Sequence, residues 1–125
     1  MNEAEELADR YIALWTETDA AARRKAITEL WTPDGLHYVG TREARGYEAL
    51  EQRIIGSHEK WVRDGGNRFR AVGNAQALRN VVTFNWEMIP ARDEEVLAEG
   101  LEFLMLDDHG RILVDYQFMV KPPSS

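Results

Sequence analysis

The sequence predicts an α+β domain in which helices from the first half pack on an antiparallel sheet from the second. Three observations carry this. Apolar residues recur at helical spacing through residues 3–61, the period switches to alternation after residue 67, and turn residues separate the alternating runs. A chain of 125 residues has the length of one domain, so residues 1–125 are read as a single unit.

Leu7, Tyr11, Leu14 and Trp15 share one face of a helix over residues 3–16, and Asn2 followed by Glu5 has the pattern of a capping box. Asp19 is placed to cap a second helix, Ala20 to Leu30, whose stripe of Ala26, Ile27, Leu30 and Trp31 stops at Thr32-Pro33-Asp34-Gly35. On that helix Arg23-Arg24-Lys25, flanked by Asp19 and Glu29, reads as a solvated face. A short strand, Leu36 to Val39, follows. Gly46 opens a third helix with an inner stripe of Leu50, Ile54, Ser57 or His58, and Trp61, ending at Asp64-Gly65-Gly66.

Four strands come next: Arg68 to Val72, Leu78 to Ile89, Val96 to Leu106 and Ile112 to Val120. Short turns between them imply an antiparallel meander. Strict alternation on the last strand puts Ile112, Val114, Tyr116, Phe118 and Val120 on one face and Leu113, Asp115, Gln117 and Met119 on the other. On the strand before it, Glu102 is a lone carboxylate on the face of Gly100, Leu104 and Leu106. Lys121 to Ser125 reads as a loose tail.

Fifteen basic against 22 acidic residues give a net charge of −7, which argues against nucleic acid as a partner. The chain has no cysteine, so disulfides, thiolate zinc sites and cysteine nucleophiles are excluded. An acidic N-terminus without a signal-peptide pattern, and no apolar run of membrane-spanning length, predict a soluble cytoplasmic protein that does not engage a membrane. His37, His58 and His109 share no close spacing, and Gly65-Gly66 opens no phosphate loop. No metal and no cofactor are therefore expected, which leaves acid and base chemistry on a small, mostly apolar molecule.

Several segments together resemble the nuclear transport factor 2-like superfamily, in its SnoaL-like branch of polyketide cyclases and steroid isomerases. They are Tyr11-Ile-Ala-Leu-Trp-Thr-Glu-Thr-Asp19, Leu30-Trp31-Thr-Pro-Asp34-Gly35, Arg45-Gly46-Tyr47, Phe69-Arg-Ala-Val-Gly-Asn74 and Asp108-His-Gly110-Arg-Ile112. The resemblance spans nearly the whole chain. It implies a cystatin-like cone: a curved, mainly antiparallel sheet wrapped around three N-terminal helices, with a pocket between sheet and helices. It also places Tyr11 and Glu102 where ketosteroid isomerase has its oxyanion-holding tyrosine and neutral aspartic acid, and Val39 where that enzyme has its catalytic base. A carboxylic acid held neutral by an apolar site can donate a hydrogen bond to an enolate, as in that isomerase. His37, two residues before Val39 on the same strand face, is the candidate replacement base, with Asp115 and Gln117 to orient it.

The same carry-over puts Asn80, Phe84, Trp86 and Met88 in the pocket wall. Leu104, Gln117 and Met119 join them, and Trp15 and Trp61 are candidate walls from the helices. Each catalytic candidate has a plainer alternative: Glu102 as the partner of Arg70 or Arg79, Tyr11 as a core ring, His37 as a structural histidine. The function expected is a small-molecule isomerase, cyclase or dehydratase working by proton transfer. The alternative is a ligand-binding or accessory domain without chemistry, and a third reading has the cone filled by Trp15, Trp31, Trp61 and Trp86. A homodimer through the outer sheet face is expected, because Leu101, Phe103, Met105, Val114, Tyr116 and Phe118 would otherwise form an exposed apolar patch.

Overall fold

The structure, a computed structural model, describes residues 2–123. Helix α1 spans Glu3–Thr16, and the Asn2 side chain accepts a hydrogen bond from the Glu5 N–H at 2.8 Å, satisfying one of the free donors of the first turn. Helix α2 spans Ala20–Leu30, capped by Asp19, which accepts from the Ala22 N–H at 2.8 Å. Arg23 corrects the solvated-face reading of its cluster: it is buried, and it donates to the Glu17 carbonyl at 3.0 Å, closing the end of α1.

Strand β1 runs Trp31–Val39, beginning five residues earlier than the apolar pattern suggests, and turns back into β2, Arg42–Arg45. Helix α3 spans Gly46–Ser57 and is prolonged by a π-helical turn, His58–Arg63. Ser57 and His58 are both buried there, since a wider turn brings successive residues inward. The remaining strands are β3 Asn67–Ala71, β4 Gln76–Leu78, β5 Val81–Pro90, β6 Ala98–Leu106 and β7 Ile112–Lys121. The expected strand from Leu78 to Ile89 is thus two strands, broken at Arg79, whose φ of 55° marks a tight turn. Of the expected tail, Lys121 belongs to β7, Pro122 and Pro123 follow it, and Ser124 and Ser125 lie outside the described residues.

The curved, unclosed sheet has the order β2-β1-β7-β6-β5-β3, with β4 added on β5. All pairs are antiparallel except β1 with β7, which run parallel with His37 opposite Asp115. Helix α1 lies over β3 and β5, and α3 over β1, so the inner face of the sheet meets the helices. Trp31, Tyr11, Phe84, Leu104 and Ile112 are fully enclosed between them. Full burial of one such large apolar side chain contributes roughly 1.5–3 kcal/mol.

Ile112 corrects the alternation predicted for the last strand. Leu106 pairs with Ile112 but Met105 pairs with Val114, so Leu113 is an extra residue and both Ile112 and Asp115 face inward. Beyond the bulge the predicted parity holds for the outer residues: Phe118 is 55% and Val120 56% exposed.

Candidate functional site

Four polar side chains meet under the sheet, each carried by a different element. Tyr11 comes from α1, His37 from β1, Glu102 from β6 and Asp115 from β7, and all four are buried. The Tyr11 hydroxyl is hydrogen-bonded to Glu102 Oε1 at 2.9 Å and to Asp115 Oδ2 in a still shorter contact. Trp86 Nε1 donates to Glu102 Oε2 at 2.7 Å. His37 Nε2 sits 3.1 Å from Gln117 Oε1 and 3.5 Å from Asp115 Oδ2; both are acceptors, so Nε2 carries the proton.

Among the described residues no cation pairs with Glu102. Arg70, the partner considered for it, is bound to Glu87 at 3.0 Å and to Glu94 at 2.7 Å instead. Burial first, and the neighbouring Asp115 second, push the Glu102 carboxyl well above the usual glutamate range, which favours its neutral form. Burial and the same two acids raise Tyr11 as well, keeping its proton on. Burial lowers His37 against the opposing pull of Asp115, which holds the imidazole neutral. One hydroxyl proton cannot serve two acceptors. A carboxyl proton therefore bridges one of the two contacts, so that Tyr11 and the two acids share their protons along one chain. Asp115 Oδ1 has no partner.

This network forms one wall of an open cavity of about 370 Å³ between the sheet and α1 and α3, within the usual range of small-molecule sites. Trp15, Trp61, Trp86, Phe69, Met88 and Met119 give it an apolar lining, while Tyr11, Glu102 and Gln117 present polar groups. The tryptophans thus wall the cone without filling it, and Trp31 lies in the core. Gly100 makes this wall possible. It lies opposite Trp86, and a Cβ there would come within 2.2 Å of the indole ring, so only glycine lets the ring lie flat on β6 with its N–H at Glu102.

Three expected wall residues are elsewhere. Asn80 is an exposed turn residue donating to the Leu106 carbonyl at 3.4 Å, because the run around it is interrupted at Arg79. Phe84 and Leu104 do face inward, but they belong to the core: the Phe84 ring meets Tyr11 of α1 edge-on at 5.4 Å, and Leu104 is fully buried. His37 and Asp115 are also behind the wall rather than in it, so the expectation of His37 as a base touching the ligand gives way to a positioning role. Val39, at the base position implied by the resemblance, does line the cavity.

Sequence reading missed Arg53, a lining residue from α3. It stands three residues after Leu50 and four before Ser57, so the helical spacing that flagged those two contained the signal. His37, Glu102 and Asp115 also place a ligand atom each within 4.8 Å of the others, a set that spacing along the chain does not disclose. Both Glu102 oxygens are already bonded, one of them to an indole N–H, so the trio reads as a proton-sharing group rather than a cation cage.

Nearly the full length of the chain superposes on known structures. A proposed isomerase of the SnoaL-like family from Agrobacterium tumefaciens matches with a TM-score of 0.85 at 24% identity, over 95% of this chain and 98% of that one. The fold is nuclear transport factor 2-like, of the SnoaL-like kind. Two further SnoaL-like or related structures agree. A proposed polyketide cyclase from Sinorhizobium meliloti matches at TM-score 0.68 and 10% identity, over 90% of this chain and 94% of that one. A SnoaL-like protein of unknown function from Burkholderia thailandensis matches at 0.70 and 12%, over 96% and 98%. No family model matches the sequence, and no curated protein sequence does. In this SnoaL-like fold no helix among the described residues is long and apolar enough to cross a membrane.

Proposed function

We propose that the protein is an enzyme that moves a proton on carbon next to a carbonyl in a small apolar molecule, as an isomerase, cyclase or dehydratase. The observation that carries this is Glu102: a neutral carboxyl at the cavity wall, linked through Tyr11 to a second carboxyl, Asp115, outside the ligand's reach. The two acids hold one proton between them. With that proton passed through Tyr11 to Asp115, Glu102 is a carboxylate that takes the proton from carbon. The enolate oxygen is met by the Gln117 amide, whose orientation His37 fixes, and the protonated Glu102 returns the proton at a second carbon. The dyad is then back in its starting state, and no net proton is consumed.

Incubation with 2-tetralone in deuterium oxide tests this through exchange at its α-carbon, followed by NMR. Exchange faster than in buffer is expected, with Glu102→Gln and Tyr11→Phe slowed by about a hundredfold or more. A second reading, ligand binding without chemistry, is favoured by Val39 at the implied base position. Binding of apolar ketones without any exchange would decide for it. The homodimer belongs to the same proposal, with the exposed Tyr116, Phe118 and Val120 at its centre.

A further inference from the structure

Arg53 is a cationic group set into the aromatic lining. Its guanidinium carbon lies 5.1 Å from the centre of the Trp15 ring, and it faces the cavity from α3. It makes no ion pair among the described residues, and its Nε is buried without a hydrogen-bond partner. The interior acids Glu102 and Asp115 act on it from a distance without pairing with it, and both are hydrogen-bonded to Tyr11 instead. A second cation, Arg42, lines the same cavity and pushes Arg53 down from its ordinary value, after burial itself. Two guanidinium groups thus line one cavity in a chain of net charge −7.

A partly buried cation without a counter-ion costs free energy unless something supplies one. Stacking on Trp15 recovers a part of that cost but leaves the N–H fork open. The planar guanidinium matches a carboxylate with two parallel hydrogen bonds, which neither a ketone nor an ester can reproduce with charge. We propose that Arg53 is the counter-ion of a carboxylate carried by the ligand, so that the substrate class is an apolar ring ketone that also bears a carboxylate. This rests on the reading of the cavity as a small-molecule site. The acid's ring system lies among Trp15, Trp61, Phe69 and Trp86, and its carboxylate is held on the α3 side, away from Glu102.

Calorimetric titration with 2-naphthoic acid and with its methyl ester tests the proposal, since the pair differs chiefly in charge. The wild-type protein should bind the acid at least about tenfold more tightly than the ester, and the advantage should shrink with added salt. Arg53→Met should bind acid and ester alike, the advantage of the acid being lost. Arg53→Lys should keep part of the preference, and it serves if the methionine variant fails to fold by circular dichroism. Equal binding of acid and ester by the wild type overturns the proposal while leaving the cavity reading intact. So does a preference that survives in Arg53→Met. Failure of both compounds to bind counts against the cavity reading and the proposal together.

Discussion

Two groups of charged residues in this molecule handle the same chemistry in opposite ways. On the outer strands, Arg70 is held between Glu87 and Glu94, and Arg68 reaches Glu94 at 3.2 Å. Each charge has its opposite and each pair is wet, so the cluster adds little to stability. Inside, acids and base are kept apart. Glu102 and Asp115 share Tyr11 with no cation between them, while Arg53 faces the cavity with no acid on it. The difference teaches where reactivity resides: pairing quenches the outer charges, whereas separation leaves an acid that gives up its proton and a cation that is still unsatisfied.

The sharpest break in that comparison comes from Gly100→Ala, which forces a methyl group into the Trp86 ring. Overpacking of this kind costs about 1–3 kcal/mol, and the Trp86 bond to Glu102 should be lost with it. Urea unfolding measures the loss; an unchanged midpoint would refute the tight seat assigned to the ring.

Next in size is the pH response. Glu102 is raised in the folded state, so its contribution to stability is complete below the ordinary glutamate range and falls as pH rises through the folded value. His37 is lowered, so its contribution is complete above the ordinary histidine value and falls as pH drops through the folded one. Unfolding free energies from urea titration between about pH 5 and 9 should decline on the alkaline side for the wild type, by up to about 1.4 kcal/mol per pH unit, and less for Glu102→Gln. Parallel curves would show that Glu102 is already ionised.

Phe118→Glu sharpens the contrast between the two faces of β7. Monomer stability should change by under about 0.5 kcal/mol, because Phe118 is exposed, while light scattering shows a shift from dimer to monomer. A wild-type protein that is monomeric at micromolar concentration would remove the dimer. The smallest effect is expected for Arg70→Ala, which should shift stability by less than about 1 kcal/mol even though it deletes two ion pairs.

Local signals in the sequence proved the most legible. Asn2 and Asp19 mark helix starts by chemistry confined to one turn, and both act as the pattern says. Glu102 was recognisable because strand parity makes a lone inward carboxylate conspicuous, and Tyr11 because it lies on the same stripe as Leu7 and Leu14. The resemblance added their pairing. What stayed hidden depends on contacts between distant segments: the parallel union of β1 with β7, the bulge at Leu113 that turns Ile112 inward, and the packing of Tyr11 on Phe84. Arg53 was overlooked for another reason. A stripe scanned for apolar residues passes over a cation that occupies it by stacking on tryptophan.

The parallel union of β1 with β7 also governs when the molecule becomes itself. Tyr11 and Asp115 are 104 residues apart in the chain, and Trp31 must find Ile112 before the centre of the sheet exists. Pairings of such separation are the slow ones, because a long loop is closed before any contact rewards it. While the chain is being synthesised, β1 waits with a bare edge, and Tyr11 has neither of its acids in place. Docking of β7 supplies Asp115, seals β1 and closes the cone in a single step. A nascent chain that stops short of Asp115 therefore lacks the sheet's centre and the proton dyad together.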